Sequence, residues 1–242
     1  MALARTNRGT STLTWASNVN PSVTSSSFSP AAGSLLVVMV EELTSDTTPS
    51  LTMSSSLSGM GAWTKVATTY LDDGFGSYYS AAIFYATCGA SPGTGTVTCT
   101  SRAGTWTNGL FMEVIEVTGQ DTASPVPQTK TNTGASTSLA LNFTSTPTAT
   151  SYCFSNCIDG GSSAPTVPTN FTGLGAGAIP ASDWNTKHGE DLGSVAQNNS
   201  WTGLGDFANA AVAIEVAQGA EGQPAVKRMG GVPFAARIRG VW

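Results

Sequence analysis

Short apolar, β-branched runs return along this chain at roughly ten-residue spacing, each closed off by Gly, Pro, Ser or Asn, and no stretch carries the period of an amphipathic helix. The clearest is residues 34–43, SLLVVMVEEL, a continuous apolar run that opens after Pro30 and Gly33. It predicts a strand covered on both faces. Residues 63–71 and 78–87 predict two more, joined as a hairpin through a turn with Asp72, Asp73, Gly74 and Gly76. Residues 94–100 alternate after Pro92 and Gly93, which predicts a second hairpin with Cys88 and Cys99 at its flanks. Residues 138–143 and 151–158 predict a further pair around Pro147. Residues 110–117 and 210–217 both carry the triplet Ile-Glu-Val. Read as an echo, it predicts two strands in equivalent places of paired sheets. The pattern as a whole predicts an all-β fold: an antiparallel two-sheet β-sandwich, jelly-roll-like, with extended N- and C-terminal arms.

At 242 residues the chain suits one large sandwich. The expected organisation is an N-terminal arm over 1–12, a single domain over 13–218 and a C-terminal docking arm over 219–242. Residues 159–180 are rich in Gly, Pro and Ser and predict a long loop across one end of the sandwich. Hydrophobic residues make up 40% and charged residues only 10%, so a core can be buried while Ser and Thr, roughly a quarter of the chain, supply solubility. No apolar run reaches the length of about 18 residues that a membrane span needs. The opening residues lack the apolar stretch of a signal peptide, so synthesis in a host cytoplasm is expected. There Cys88, Cys99, Cys153 and Cys157 are expected to stay thiols and to act as small buried apolar groups.

Charge is unevenly placed. Residues 10–218 hold four basic and fourteen acidic groups, a net of −10, whereas the two tails hold six basic groups against Glu221, a net of +5. This predicts tails that dock on an acidic partner. Nucleic acid is not expected as that partner, because an acidic body repels phosphates and the basic groups are too sparse to line a groove.

No residue pattern points to catalysis, and neither a metal site nor a cofactor is expected. His188, the one histidine, lies in KHGED and reads as a surface-loop residue; no G-x-S-x-G elbow accompanies it. Glu41 with Glu42, and Glu113 with Glu116, lie one and three residues apart, which turns them to opposite faces of a strand. Paired carboxylates for glycoside hydrolysis would therefore need partners from elsewhere in the chain. Cys153 and Cys157 lie about 13 Å apart at strand rise, too far to share a zinc ion. Most aromatic residues, Trp63, Trp106, Tyr70, Tyr78 and Tyr79 among them, are expected to fill the ends of the core. Trp184 and Trp201, in polar, Asn-rich surroundings, are the candidates for exposed glycan contact.

The ending QPAVKRMGGVPFAARIRGVW, with Pro224, Lys227, Arg228, Met229, Gly230, Gly231, Val232, Pro233 and Phe234, resembles the basic-Gly-Gly-x-Pro tail of structural proteins of tailed bacteriophages. FSPAAGSLLVV and AAVAIEV resemble, in texture, jelly-roll-like domains of phage virion proteins. The resemblance implies an attachment role for the arm. The expected docking residues are Arg5, Arg8, Lys227, Arg228, Met229, Val232, Phe234, Arg237, Ile238, Arg239 and Trp242. The leading expectation is a non-enzymatic virion subunit, a capsid decoration or tail-associated protein, bound to other capsid or tail proteins and to copies of itself. The alternative is a carbohydrate- or receptor-binding adhesin module that meets host-surface glycans; a glycoside hydrolase comes third.

Overall fold

The computed structural model describes residues 1–220 apart from 14–15, 18–19, 47–49, 103–105, 162–163, 180–183, 193–197 and 206–207. Among the described residues there is no helix, and so none that is long and apolar enough to cross a membrane. The first half of the chain forms β1 (Ala4–Leu13), β2 (Ala16–Ser17), β3 (Ser22–Thr24), β4 (Leu35–Thr44), β5 (Ser50–Ser55), β6 (Thr64–Ala67), β7 (Leu71–Asp72), β8 (Tyr78–Thr87), β9 (Val97–Arg102) and β10 (Trp106–Thr118). The second forms β11 (Gln128–Gly134), β12 (Ser138–Asn142), β13 (Tyr152–Asp159), β14 (Thr172–Ile179), β15 (Trp184–Leu192), β16 (Asn198–Thr202) and β17 (Asn209–Val216).

The two halves repeat one layout. The large sheet of the first half runs β1-β10-β4-β8-β6, with β2 beside β10 and β7 beside β8; that of the second runs β11-β17-β13-β15-β14. Each half adds a small sheet, β3-β9-β5 in the first and β12-β16 in the second. A bridge between Thr166 and Thr202 takes the place in the second half that β5 holds against β9 in the first. Registers match as well: Val117 stands opposite Leu35 and Val216 opposite Tyr152, so the two Ile-Glu-Val triplets occupy equivalent places, as their echo predicts.

Three apolar clusters stack these sheets into four layers. The inner faces of the large sheets meet in a core that includes Leu35, Val37, Met39, Ile83, Ile115, Phe154, Ile158, Val212 and Ile214. The outer face of the first large sheet, with Leu36, Val38, Val40 and Met112, is covered by Val23, Leu51, Val97 and Cys99 of its small sheet. The outer face of the second is covered by Leu139, Leu141 and Trp201. Apolar cover on both faces is why β4 and β17 are buried at every position and read as unbroken apolar runs.

The all-β antiparallel sandwich is found, with several local differences from expectation. The N-terminal segment is no arm: residues 4–13 form an edge strand paired with β10 along its length, because their backbone completes the large sheet. Residues 159–180, expected as a loop, contribute β14, which closes the far edge of the second sheet. The turn at Asp72 to Gly76 does join two strands that pair, β7 and β8. The second expected hairpin does not form, since β8 and β9 lie in different sheets, although Cys88 and Cys99 share one apolar cluster. Residues 138–142 and 152–159 likewise face each other across a core instead of pairing.

Candidate functional site

The most chemically distinctive group of side chains lies where the inner faces of the large sheets meet. In β4, alternation sends Leu35, Val37, Met39 and Leu43 inward, and Glu41 falls on that same face. In β10, Glu113 shares the inward face with Ile115 and Val117. Glu41 pairs with Phe111 and Met39 with Glu113, so the two carboxylates are diagonal neighbours on adjacent strands. His188, on β15 of the other sheet, enters between them. Its Nδ1 lies 2.5 Å from Glu113 Oε2, and its Nε2 lies 2.8 and 2.7 Å from the two Glu41 oxygens. Exposure is 0% for all three residues. The Phe111 ring lies 4.9 Å from the imidazole, centroid to centroid.

Neighbouring polar groups complete the cluster. Asn7 Nδ2 donates to Glu113 Oε1 at 2.5 Å, and Asn156 Nδ2 donates across the sheet interface to the carbonyls of Val40 and Ala82 at 3.0 and 3.1 Å. At the rim, Arg5 on β1 forms an ion pair with Glu190 on β15, which also joins the two halves. A neutral imidazole has a single N–H, yet both ring nitrogens face carboxylates, so the protonated ring suits the site. Burial pulls the imidazolium down, but the charge of Glu41 and the hydrogen bonds the ring donates to Glu113 and Glu41 outweigh it and hold the pKa at about 9. Burial raises Glu41 above the usual carboxylate range, with His188 opposing the rise.

This arrangement cannot serve a metal ion as it stands, because the two carboxylates engage opposite nitrogens of one ring and do not converge on a common point. His188 was expected on a surface loop; it is a buried strand residue, because its imidazole is the counter-charge to two glutamates from the other sheet. As expected, neighbouring glutamates do point apart. Glu42 accepts hydrogen bonds from Tyr70 at 2.5 Å and from Ser101 on the outer face of its sheet, and burial pushes its pKa up to about 7. Glu116 takes Arg8 and the Ala31 N–H.

The other expected site residues are scattered. Arg5 and Arg8, expected to dock a partner, are engaged within the molecule by Glu190 and Glu116, because the strand that carries them lies across those carboxylates. Trp201, expected to be exposed, is 0% exposed and donates from Nε1 to Ser155 Oγ at 2.8 Å, since the small sheet turns it onto the outer core. Trp184 begins β15, and its side chain lies outside the described residues. Lys227, Arg228, Met229, Val232, Phe234, Arg237, Ile238, Arg239 and Trp242 also lie outside them. All four cysteines are buried free thiols.

Sequence reading missed the Glu41–Glu113–His188 cluster. The one usable signal was a glutamate on the inward face of each of two otherwise apolar strands. Comparison of the chain with protein-family models, with curated proteins and with solved structures found no match.

Proposed function

We propose that the chain is a non-enzymatic structural component of a tailed-phage particle. It is a surface subunit, decorating the capsid or associated with the tail, held to other virion proteins by its C-terminal arm and assembling with copies of itself. The observation that carries this reading is the closure of the chemistry-bearing groups: His188, Glu41 and Glu113 are 0% exposed and are used to join the two sheets. A body built this way supplies rigidity and surface. The KRMGGVPF ending supplies the phage-like element; among the described residues the chain reaches exposed Ala220 near Met1, where Gln218 Nε2 donates to the Met1 carbonyl at 3.0 Å.

With Arg5 and Arg8 occupied, attachment falls to the C-terminal arm, where Met229, Val232, Phe234, Ile238 and Trp242 are the apolar anchors and Lys227, Arg228, Arg237 and Arg239 set register. A buried apolar side chain contributes roughly 1.5–3 kcal/mol and an exposed ion pair under about 1, so the apolar anchors dominate. Deleting residues 222–242 tests the reading: the body keeps its melting temperature and incorporation into particles is lost. A truncated chain that still assembles normally would overturn it.

A further inference from the structure

The inner core pairs two sheets of the same layout, so residues of one half have corresponding places in the other. Aligning Val117 opposite Leu35 with Val216 opposite Tyr152 makes Ile158 the counterpart of Glu41 and Val212 the counterpart of Glu113. Ile83 stands opposite Met39 as His188 stands opposite Asn156, so Ile83 is the counterpart of His188. All three counterparts are apolar, 0% exposed and members of the same inner cluster, with β8 lying against β13 and β17. Three corresponding places are thus filled by polar residues in one case, Glu41, Glu113 and His188, and by apolar ones in the other, Ile158, Val212 and Ile83.

We infer that the polar version fixes the pairing of the two halves, so that the inner face of a first half accepts only the inner face of a second half and rejects a copy of itself. Two first halves brought face to face would set Glu41 and Glu113 opposite another Ile83, leaving buried carboxylates with no counter-charge. Two second halves would set His188 opposite Ile158 and Val212, leaving buried ring nitrogens without partners. Only the mixed pair satisfies both. Arg5 with Glu190 and the Tyr152 hydroxyl donating to the Leu3 carbonyl at 2.7 Å add contacts that likewise need one half of each kind. The need is physical: each inner face is a broad apolar sheet that must be covered, and another chain in the act of folding offers an identical face.

The test makes the corresponding places alike, with the triple substitution Glu41→Ile, Glu113→Val and His188→Ile. Full-length wild type and variant are diluted from denaturant at low and high chain concentration, and the species are resolved by light scattering after gel filtration. Mixed isotope-labelled chains are then cross-linked and the links mapped by mass spectrometry. The expected result is a several-fold rise, in the variant alone and steeper at high concentration, of species linked first half to first half between chains. If the triple variant gives no β spectrum, Glu41→Leu with Glu113→Leu, which removes the buried polar groups at similar size, is expected to show the same rise. Refolding to the wild-type distribution of species and links, by whichever variant folds, overturns the inference.

Discussion

Glu116 and Glu215 do the same work in the two halves of the molecule. Glu116 accepts from the backbone N–H of Ala31 at 2.6 Å and Glu215 from that of Thr148 at 3.3 Å, each just after a proline that precedes a central strand. The first strand of each half adds a second donor, Arg8 Nε at 2.7 Å to Glu116 and Gln128 Nε2 at 2.6 Å to Glu215. One carboxylate in each half thus ties the turn before the central strand to the edge strand.

Replacing either glutamate with alanine removes a charged acceptor from a backbone N–H and from the donor on the edge strand. Each substitution is expected to cost about 2 kcal/mol, the two alike, read as a shift in the urea midpoint with unchanged slope. A large cost at one site and none at the other would show that the equivalence is geometric only.

Stability should fall as pH rises. His188 is held at about 9, above its ordinary value, so its contribution is complete below pH 6.5 and is lost as pH climbs through 9. Burial also raises Glu42, to about 7, and a carboxyl raised in the folded state favours folding less as pH passes above 4.5 and through 7. Denaturant midpoints measured from pH 6 to 10 should decline by an amount on the order of 3 kcal/mol for the histidine alone. In the triple Glu41→Ile, Glu113→Val, His188→Ile chain the high-pH part of that slope should flatten.

Trp201→Ala should be destabilising by about 3–5 kcal/mol, because it empties a fully enclosed site and strips Ser155 Oγ of its donor. Calorimetry reads this directly. A surface platform for sugar would instead tolerate the change.

Alkylation of the native protein should leave all four cysteines unmodified, and denaturation should release all four. Burial pushes the Cys99, Cys153 and Cys157 thiols upward, so the reactive thiolate is scarce in addition to being enclosed. Rapid native labelling of Cys99 would place the small sheet of the first half away from its core.

The turn at Phe75 separates two kinds of contribution. Asp73 Oδ1 accepts from the N–H groups of Phe75 and Ser77 at 2.7 and 3.0 Å, while the Phe75 ring is 84% exposed. Asp73→Ala should cost about 1 kcal/mol. Phe75→Ala should change the melting free energy by less than about 0.5 kcal/mol.

Strand content and the central strands were legible in the chain, because β4, β10 and β17 are covered on both faces and so carry their burial locally as runs that are apolar apart from a few glutamates and end residues. The Ile-Glu-Val echo even marked equivalent places. The opposite orientation of Glu41 and Glu42 followed from strand geometry alone. Three features did not show. The segment ARTNRGTSTL looks like a solvated tail because an edge strand draws its order from backbone pairing with β10, which leaves no apolar signature. Trp201 sits among Asn and Ser because the layer that covers it, from β13 and β17, lies elsewhere in the chain. His188 stands in a polar stretch because its partners are 75 and 147 positions away in sequence. Local pattern thus determined that the chain is built of strands and which of them are central, with both faces covered. Only the tertiary structure decided which strands become neighbours, and with it where the charges meet, because burial and charge pairing are properties of what folds against a residue and not of the residues beside it.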